Sequence, residues 1–264
     1  MMTSNRPVGD LLRDWRQRRR LSQLDLACEA EISQKHLSFL ESGRSLPSRG
    51  MLLRLAERLE VPLRDRNALL LAAGFAPSFH ERSLDDPALR AARAAVDLVL
   101  KGHEPFPALA IDRHWTLVAA NAAIPPLLAG VANASLLEPP VNVLRLSLHP
   151  EGLAPRIANL PEWRAHLLDR LRRQVDLTAD PALTALLEEL AAYPAPSTDQ
   201  PVAAADREMA GVVVPLRLIA EGGTILSFLS TTTIFGTPVD VTLSELALEC
   251  FFPADPETAA ALRR

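Results

Sequence analysis

The stretch from Ser22 to Glu41, SQLDLACEAEISQKHLSFLE, constrains the fold of this chain more than any other part of its sequence. Ser22 is a favoured N-cap residue, and Asp25 follows it at the spacing of a capping box. Ser33 can cap a second helix at the end of a tight connection that begins at Glu31, and apolar residues recur at helical spacing on both sides. Two short helices joined in this way, with both apolar faces inward, form a helix-turn-helix.

The flanking sequence predicts three further helices around this pair. One precedes it and two follow, over Val8 to Arg19, Arg49 to Leu59 and Leu63 to Ala73. Gly43 is placed to end the second helix of the pair in a left-handed conformation, and Gly74 stops the last helix. We therefore expect an all-α five-helix head over residues 8–75.

The charge of the chain is unevenly distributed. Residues 1–78 hold 13 Lys and Arg against 9 Asp and Glu, whereas the remainder holds 15 against 23. Charge fluctuates along any chain, so this excess alone is weak evidence. It coincides with the helix-turn-helix, however, whose second helix leaves Gln34 and Lys35 outward. Gln can pair with adenine and Lys can reach guanine or a phosphate, so we expect the head to bind DNA.

The motifs LSQxxLA, LExGR and PS…LxxLAxxL resemble the phage-repressor type (Cro/C1, XRE) helix-turn-helix family over residues 8–74. The resemblance implies double-stranded DNA as the partner. The residues that it implies at the DNA are Gln23 at a phosphate, Gln34 at a base, Lys35 and Ser38 beside Gln34, Phe39, and Arg44 at the DNA backbone.

Two details of that resemblance bear on the structure. Phe39 departs from the polar residue common at its position, and its ring could either contact a thymine methyl or pack against the protein. Arg16 and Glu41 match positions that usually form a structural ion bridge in the family. We expect these two to pair with each other and not to touch DNA.

Residues 76–86 are polar and broken by Pro77, so we expect a linker there. Beyond it, residues 87–260 read as a helix over 87–101, two strands, several helices and three strands. The expected strands are 107–111, 115–119, 211–219, 224–232 and 239–250, although 245–248 could equally be helix. This order predicts an antiparallel sheet with helices on one face, which is the layout of an α+β PAS-like domain.

A second resemblance covers this domain. The stretches NVLRLSLHPEGLAPRIANLPEWRAHLLDRLRRQ and VPLRL…FLSTTTIFGTPVDVTLSELALECFFPAD resemble the ligand-binding region of the MmyB-like regulators. That resemblance implies a pocket for a small apolar molecule, with fatty acids as the leading class. The apolar candidates for its lining, each of which could also be ordinary core, are Trp115, Leu117, Trp163, Leu167, Phe228, Phe235 and Phe251.

Asn142, Arg145 and His149 are spaced by three and four positions and therefore share one helical face. This face could be a surface or a packing face. It could also be the polar mouth of the pocket, because an Arg side chain can bind a carboxylate through two hydrogen bonds.

Other classes of function lack support. The sequence holds no GxSxG, GxGxxG, P-loop or HExxH motif, and its six histidines have no ligand spacing, so we expect no catalytic residue, metal or cofactor. Two cysteines cannot form a disulfide framework, and neither a signal core nor an apolar run of about 18 residues is present, so we expect a cytoplasmic protein outside the membrane.

One recognition helix spans only a few base pairs, so we expect a homodimer that reads two half-sites. The helix over 87–101 and the sheet edge are both candidate dimer surfaces. The main alternative is a regulator whose second domain is a purely structural dimerisation domain. An enzyme with an auxiliary DNA-binding head is a further alternative.

Overall fold

The computed structural model describes residues 6–194, 214–236, 238 and 240–263. The chain forms two units. The first comprises Met1–Ser83 with Thr237–Ser244, and the second comprises Leu84–Gly236 with Glu245–Arg264. The boundary after Ser83 falls inside the segment expected to be the linker.

All five helices of the predicted head are present. They are α1 (Val8–Arg18), α2 (Gln23–Glu29), α3 (Gln34–Glu41), α4 (Arg49–Arg58) and α5 (Leu63–Ala72). Their apolar faces meet in one core, in which Leu12, Leu37 and Leu55 are fully buried. Burial of these faces, more than helix propensity, stabilises helices as short as these.

The caps predicted for the helix-turn-helix are confirmed. The Ser22 hydroxyl accepts from Asp25 N at 3.1 Å, and the Asp25 carboxylate accepts from Ser22 N at 2.9 Å. The Ser33 hydroxyl accepts from His36 N at 3.1 Å and so caps α3. Gly43 follows α3 with φ of 71°, a conformation that costs glycine little.

The second unit is built on a five-stranded sheet. Its helices are α6 (Arg90–Gly102), α7 (Ile124–Leu128), α8 (Val143–Leu148), α9 (Leu160–Thr178) and α10 (Pro181–Ala192). Its strands are β1 (Ala108–Ile111), β2 (Leu117–Ala120), β3 (Leu216–Ile219), β4 (Ile225–Ile234) and β5 (Ala247–Pro253). The strand order is β2-β1-β5-β4-β3 and all four pairings are antiparallel, which confirms the predicted α+β PAS-like domain.

The sheet is covered on both faces, and in this the prediction of helices on one face was wrong. Side chains alternate along β5, so that Leu248 and Cys250 pack with α6 on one side. Ala247 and Phe251 point to the other side, toward the core that α8, α9 and α10 complete. The amphipathic pattern of residues 87–101 predicted helix α6 correctly but could not say which face of the sheet it would cover.

The last predicted strand was wrong at its start. Residues 241–244 form a short helix, α11 (Val241–Ser244), and the strand begins only at Ala247, where helix was the alternative expected. Asp240 accounts for the turn, because its Oδ1 accepts from Thr242 N at 2.9 Å and starts the helix. Gly222 and Gly223, with φ of 83° and 82°, form the turn between β3 and β4. Residues 211–213 of the expected third strand lie outside the described residues. The terminal helix is α12 (Pro256–Leu262).

The segment that joins β4 to β5, residues 237–244, belongs to the first unit. Val241 N donates to His80 O at 2.8 Å, and the Thr242 hydroxyl donates to Arg82 O at 2.5 Å. The guanidinium of Arg82 lies 3.5 Å from the buried carboxylate of Asp240. Both strands that flank this segment are part of the sheet of the second unit.

Candidate functional site

The helix-turn-helix is held in place by one buried carboxylate. Glu41, at the end of α3, is only 1% exposed. Its two oxygens accept from Arg16 Nε at 2.6 Å and from Arg16 Nη2 at 2.8 Å, and the amide of Gln23 donates to it at 2.9 Å. The ion pair expected between Arg16 and Glu41 is therefore confirmed, and it links α1, α2 and α3.

The electrostatics of Glu41 follow from these contacts. Burial alone would raise the pKa of the carboxyl, but the hydrogen bonds from Arg16 and Gln23, with the positive charges of Arg16 and Arg13, hold the pKa below its ordinary value. The same hydrogen bond to Glu41 raises the pKa of Arg16. The pair therefore stays ionised across the physiological range.

Sequence reasoning missed the contact that lets α1 approach α3. A Cβ on Gly9 would lie 2.5 Å from Leu40 O and 2.8 Å from Glu41 O, so only glycine fits at this crossing. Beside it, Arg13 Nη2 donates to Glu41 O at 2.8 Å. The sequence did offer one signal for this close approach. Gly9 lies in the first turn of α1, a helix whose Arg13 and Arg16 contact α3.

The residues expected to read bases lie on one exposed face. Gln34 and Lys35 in the first turn of α3 are exposed, and Ser38, one turn later, is half-buried. Two cations lie near the ring of Phe39, with Lys35 Nζ 5.7 Å and Arg44 Cζ 5.8 Å from its centroid. A cation over an aromatic face is attracted by the ring quadrupole, so Phe39 helps to position both charges on this face.

Gln23 has a different surrounding from the other predicted DNA contacts. Its amide already donates to the buried carboxylate of Glu41. A side-chain amide nitrogen carries two N–H donors, so this bond leaves one for the phosphate contact that the resemblance implies.

A cavity lies in the second unit, between the sheet and helices α7, α8 and α9. Its volume is about 120 Å³. One buried water needs about 10–15 Å³ of such volume, so the cavity has room for roughly ten water-sized groups. The predicted residues that line it are Trp115, Leu117, Trp163, Leu167, Phe228 and Phe251. Phe235 packs instead against the core around Val96 and Leu248, on the α6 side of the sheet.

The backbone at the cavity is strained at one residue. Trp115 has φ of 66°, which is costly for a bulky side chain. The turn before it is fixed by Asp112, whose Oδ1 accepts from His114 N and Thr116 N, both at 2.8 Å. The indole Nε1 of Trp115 donates to Gln174 Oε1 at 2.8 Å, so the ring is held with its apolar face toward the cavity.

Asn142, Arg145 and His149 are absent from the described residues that line the cavity. Asn142 is the N-cap of α8: its Oδ1 accepts from Leu144 N and Arg145 N, both at 3.1 Å, and its amide donates to His114 O at 2.8 Å. It thereby positions the helix whose side chains form one wall.

Arg145 binds a carboxylate through two hydrogen bonds, but the carboxylate belongs to the protein. Arg145 Nε and Nη2 donate to Glu189 at 2.8 Å and 2.7 Å, and Tyr193 OH donates to the same carboxylate at 2.8 Å. The ring of His149 stands against Tyr193, with centroids 5.2 Å apart. Burial and the hydrogen bond to Glu189 raise the pKa of Tyr193 to about 12. These residues form a partly exposed cluster on α8 and α10.

The charged residues of the cavity, Arg170 on α9 and Glu249 on β5, were missed by sequence reasoning. Arg170 follows Leu167 by three positions and Trp163 by seven, so it borders their apolar face. Glu249 is two positions from Ala247 and from Phe251 along β5, so all three side chains face the same side of the sheet. Both spacings were readable, but a charged residue in an apolar pattern is more often directed to solvent.

Two family models match the chain. The family model described as MmyB-like transcription regulator ligand binding domain matches residues 92–264, and the model described as helix-turn-helix domain matches residues 7–69. A search of curated proteins finds no match to the chain. Within the described residues, no helix is both long and apolar enough to cross a membrane, and no group of His, Cys, Asp and Glu side chains could hold a metal ion.

We expect Arg16 and Glu41 to be strongly coupled in stability. Arg16→Ala and Glu41→Gln should each lower the free energy of unfolding by about 2–4 kcal/mol, because each strands a buried polar group. The double mutant should fall short of the sum by about 1–3 kcal/mol. The exposed pair Arg6 and Asp14, 2.5 Å apart, is the control and should couple much more weakly, because solvent screens both charges. Equal coupling in the two cycles would contradict this role, and urea unfolding measures it.

The acid limb of the stability curve provides a second measurement of the same pair. The pKa of Glu41 is lower in the folded state than its ordinary value of 4.5, so its contribution is complete above that value. The contribution is lost as the pH falls through the lowered pKa. The Glu41→Gln variant should therefore lose less free energy of unfolding than the unmutated protein over this acid range.

Proposed function

Because the chain belongs to the family of MmyB-like transcription regulators and is a DNA-binding regulator with a ligand-sensing domain, we propose that its ligand is a small apolar molecule with one polar end, such as a fatty acid, and that this ligand changes the affinity for DNA. The observation that carries the ligand class is the cavity, whose lining is almost wholly apolar. Such a lining favours an apolar chain through the hydrophobic effect.

The exposed face of α3 supports specific reading of DNA. Gln34 is exposed and the described contacts leave its side-chain amide without a partner in the protein, so it is available to an adenine edge. Lys35 and Arg44, grouped by the ring of Phe39, supply positive charge beside it for phosphates or guanine.

The chain path supports a coupling between ligand and DNA binding. Segment 237–244 is part of the first unit, yet it is the connection between β4 and β5, which both contribute to the lining of the cavity. A ligand that displaces either strand end acts on this segment directly. Its hydrogen bonds to His80 O and Arg82 O pass that displacement to the residues that follow α5. Only a difference in ligand affinity between two states is needed to shift DNA occupancy.

We further propose that the regulator acts as a homodimer, because two recognition helices related by a two-fold axis read half-sites about one helical turn apart. Leu98 of α6 is 73% exposed and Val99 is 40% exposed. Exposed apolar side chains of this size on one helix fit a contact with a second copy.

Replacement of Gln34 by Ala should cost about 1–3 kcal/mol of binding at an operator selected from randomised DNA by the unmutated protein. Binding to unrelated DNA should change little, because phosphate contacts carry it. Gln17→Ala, which removes an exposed amide from α1, is the matched control and should leave both affinities unchanged. Equal binding of operator and unrelated DNA by the unmutated protein, at every salt concentration, would overturn specific recognition.

Linear ten-carbon compounds should bind the purified protein after bound lipid has been stripped from it. At a hundredfold excess over Kd, binding adds about 2.7 kcal/mol to the free energy of unfolding, so the melting temperature should rise by several degrees. The same compounds should change operator affinity in a fluorescence anisotropy titration. A protein that shows neither response to the acid, the alcohol or the amide has a purely structural second domain.

One substitution tests the proposed coupling between ligand binding and DNA binding. Thr242→Val removes the hydroxyl that donates to Arg82 O and should reduce the response of operator affinity to the ligand, while ligand affinity itself stays unchanged. Thr233→Val, an exposed threonine on β4, is the matched control and should respond like the unmutated protein. An unchanged response in Thr242→Val would rule out this route.

Sedimentation at concentrations on the order of tens of micromolar should give twice the mass of one chain, with or without operator DNA. Leu98→Glu should weaken this dimer, because it places a charge in an apolar contact. Leu177→Glu changes a leucine of α9 that is 54% exposed and should have no effect. A single-chain mass under both conditions would exclude the homodimer.

A further inference from the structure

The charged residues of the cavity lining form one ion pair. Among the described residues of the lining, Arg170 and Glu249 are the charged ones, and the remaining hydroxyls belong to Ser147 and Ser230. Every other described residue of the lining is apolar. The polar group of a ligand in this cavity can therefore contact charged groups of the described lining only at this ion pair.

Arg170 and Glu249 make further contacts with Thr232 and Trp115. Arg170 Nη2 donates to Glu249 Oε1 and to the Thr232 hydroxyl, which itself donates to Glu249 Oε1 at 2.9 Å. The guanidinium lies over the ring of Trp115, 4.6 Å from its centroid. Glu249 is only 5% exposed, so its charge is largely removed from water. Such a pair is stable only while each charge keeps its partner.

The hydrogen-bonding capacity of the pair is only partly used. Within the described part of the chain, Arg170 Nε and Nη1 have no hydrogen-bond acceptor, and Glu249 Oε2 has no donor. A guanidinium has five N–H donors and a carboxylate can accept several hydrogen bonds. The pair can thus give one hydrogen bond to a ligand and accept another from it.

The charge of the lining restricts what that ligand can be. The charges of Arg170 and Glu249 sum to zero. The pKa of His166, one turn before Arg170, is lowered by burial and by the charges of Arg170 and Arg173, so this imidazole adds no charge at neutral pH. A carboxylate entering here would place a second negative charge beside the buried Glu249. An ammonium group would place a second positive charge beside Arg170. Either excess charge is costly in an apolar surrounding, whereas a neutral group is not penalised.

We propose that the cavity selects an apolar chain with a neutral head group that both accepts and donates, such as a primary amide, in which the oxygen accepts from Arg170 and the N–H donates to Glu249. This inference rests on the proposed ligand-sensing function and narrows its ligand class. We expect the fatty acid of the same chain length, whose carboxylate is ionised, to bind less tightly than the amide.

Three matched compounds test the inference on the full-length protein: decanamide, decanoate and decylamine, measured by calorimetry at neutral pH. They share chain length and differ in head-group charge. The unmutated protein should bind decanamide at least about tenfold more tightly than either ion, because each ion leaves one charge uncompensated. Decanoate binding as tightly as decanamide, or more tightly, would overturn the inference and leave the ligand-sensing function standing.

Glu249→Gln makes the test specific to the pair. The variant removes the negative charge and frees Arg170, so decanoate should gain at least about tenfold and become the tighter ligand. Glu188→Gln makes the same change at an exposed position on α10 and should keep the order of the unmutated protein. An order in Glu249→Gln that is the same as in the unmutated protein would overturn the inference.

A second variant covers the case in which Glu249→Gln does not fold. Arg170→Met combined with Glu249→Leu replaces both charges by apolar groups of similar size, a change that buried ion pairs often tolerate. This protein should lose the preference among the three head groups, and a retained preference for the amide would overturn the assignment. If none of the three compounds binds the unmutated protein, the inference fails, and the ligand-sensing function fails with it when the ten-carbon alcohol does not bind either.

Discussion

The carboxylate of Glu41 accepts hydrogen bonds from α1 and α2 at the end of α3, so that one buried side chain fixes three of the five helices of the first unit. The net contribution of such a pair to stability is small, because the desolvation of both charges offsets their attraction. Its effect is on geometry, since any other packing of these helices would strand a charge. Gly9 makes the arrangement possible by allowing α1 to approach the carbonyls of Leu40 and Glu41. These contacts therefore fix the orientation of the exposed face of α3 that carries Gln34 and Lys35.

The second unit uses a buried ion pair differently. Around Glu41, hydrogen bonds from two helices satisfy both oxygens of the carboxylate. Arg170 and Glu249 lie at the border of a cavity, and part of their hydrogen-bonding capacity is left to whatever fills it. A fully satisfied polar network rigidifies and specifies one packing, which is the role of the pair at Glu41. In the proposed ligand recognition, the unused hydrogen-bonding capacity of Arg170 and Glu249 is what the head group of the ligand would satisfy.

Local signals in the sequence were sufficient for the first unit. Caps at Ser22 and Ser33, together with short-range apolar spacing, predicted every helix within one or two residues, because those helices are stabilised by neighbours close in sequence. The second unit depends on pairings across long stretches of chain, such as Ala108 with Cys250. No local pattern shows that Glu189 will meet Arg145, or that Arg170 will meet Glu249. Arg145 was expected either on a surface or packing face or at the carboxylate of a ligand, and the carboxylate that it binds in the structure is that of Glu189, 44 residues further along the chain.

Glu249 lies near the start of β5, which follows segment 237–244 in the chain. Thr232 and Glu249 face each other across β4 and β5, and the pairing continues only to Ile234 and Ala247 before the chain leaves for segment 237–244. In the proposed mechanism, a head group that binds Glu249 pulls on a strand position two residues from the end of the ladder. In that mechanism the displacement would pass into the segment whose Val241 N and Thr242 hydroxyl donate to His80 O and Arg82 O. The proposal thus assigns both the recognition of the ligand and the transmission of its presence to the pair of strands β4 and β5.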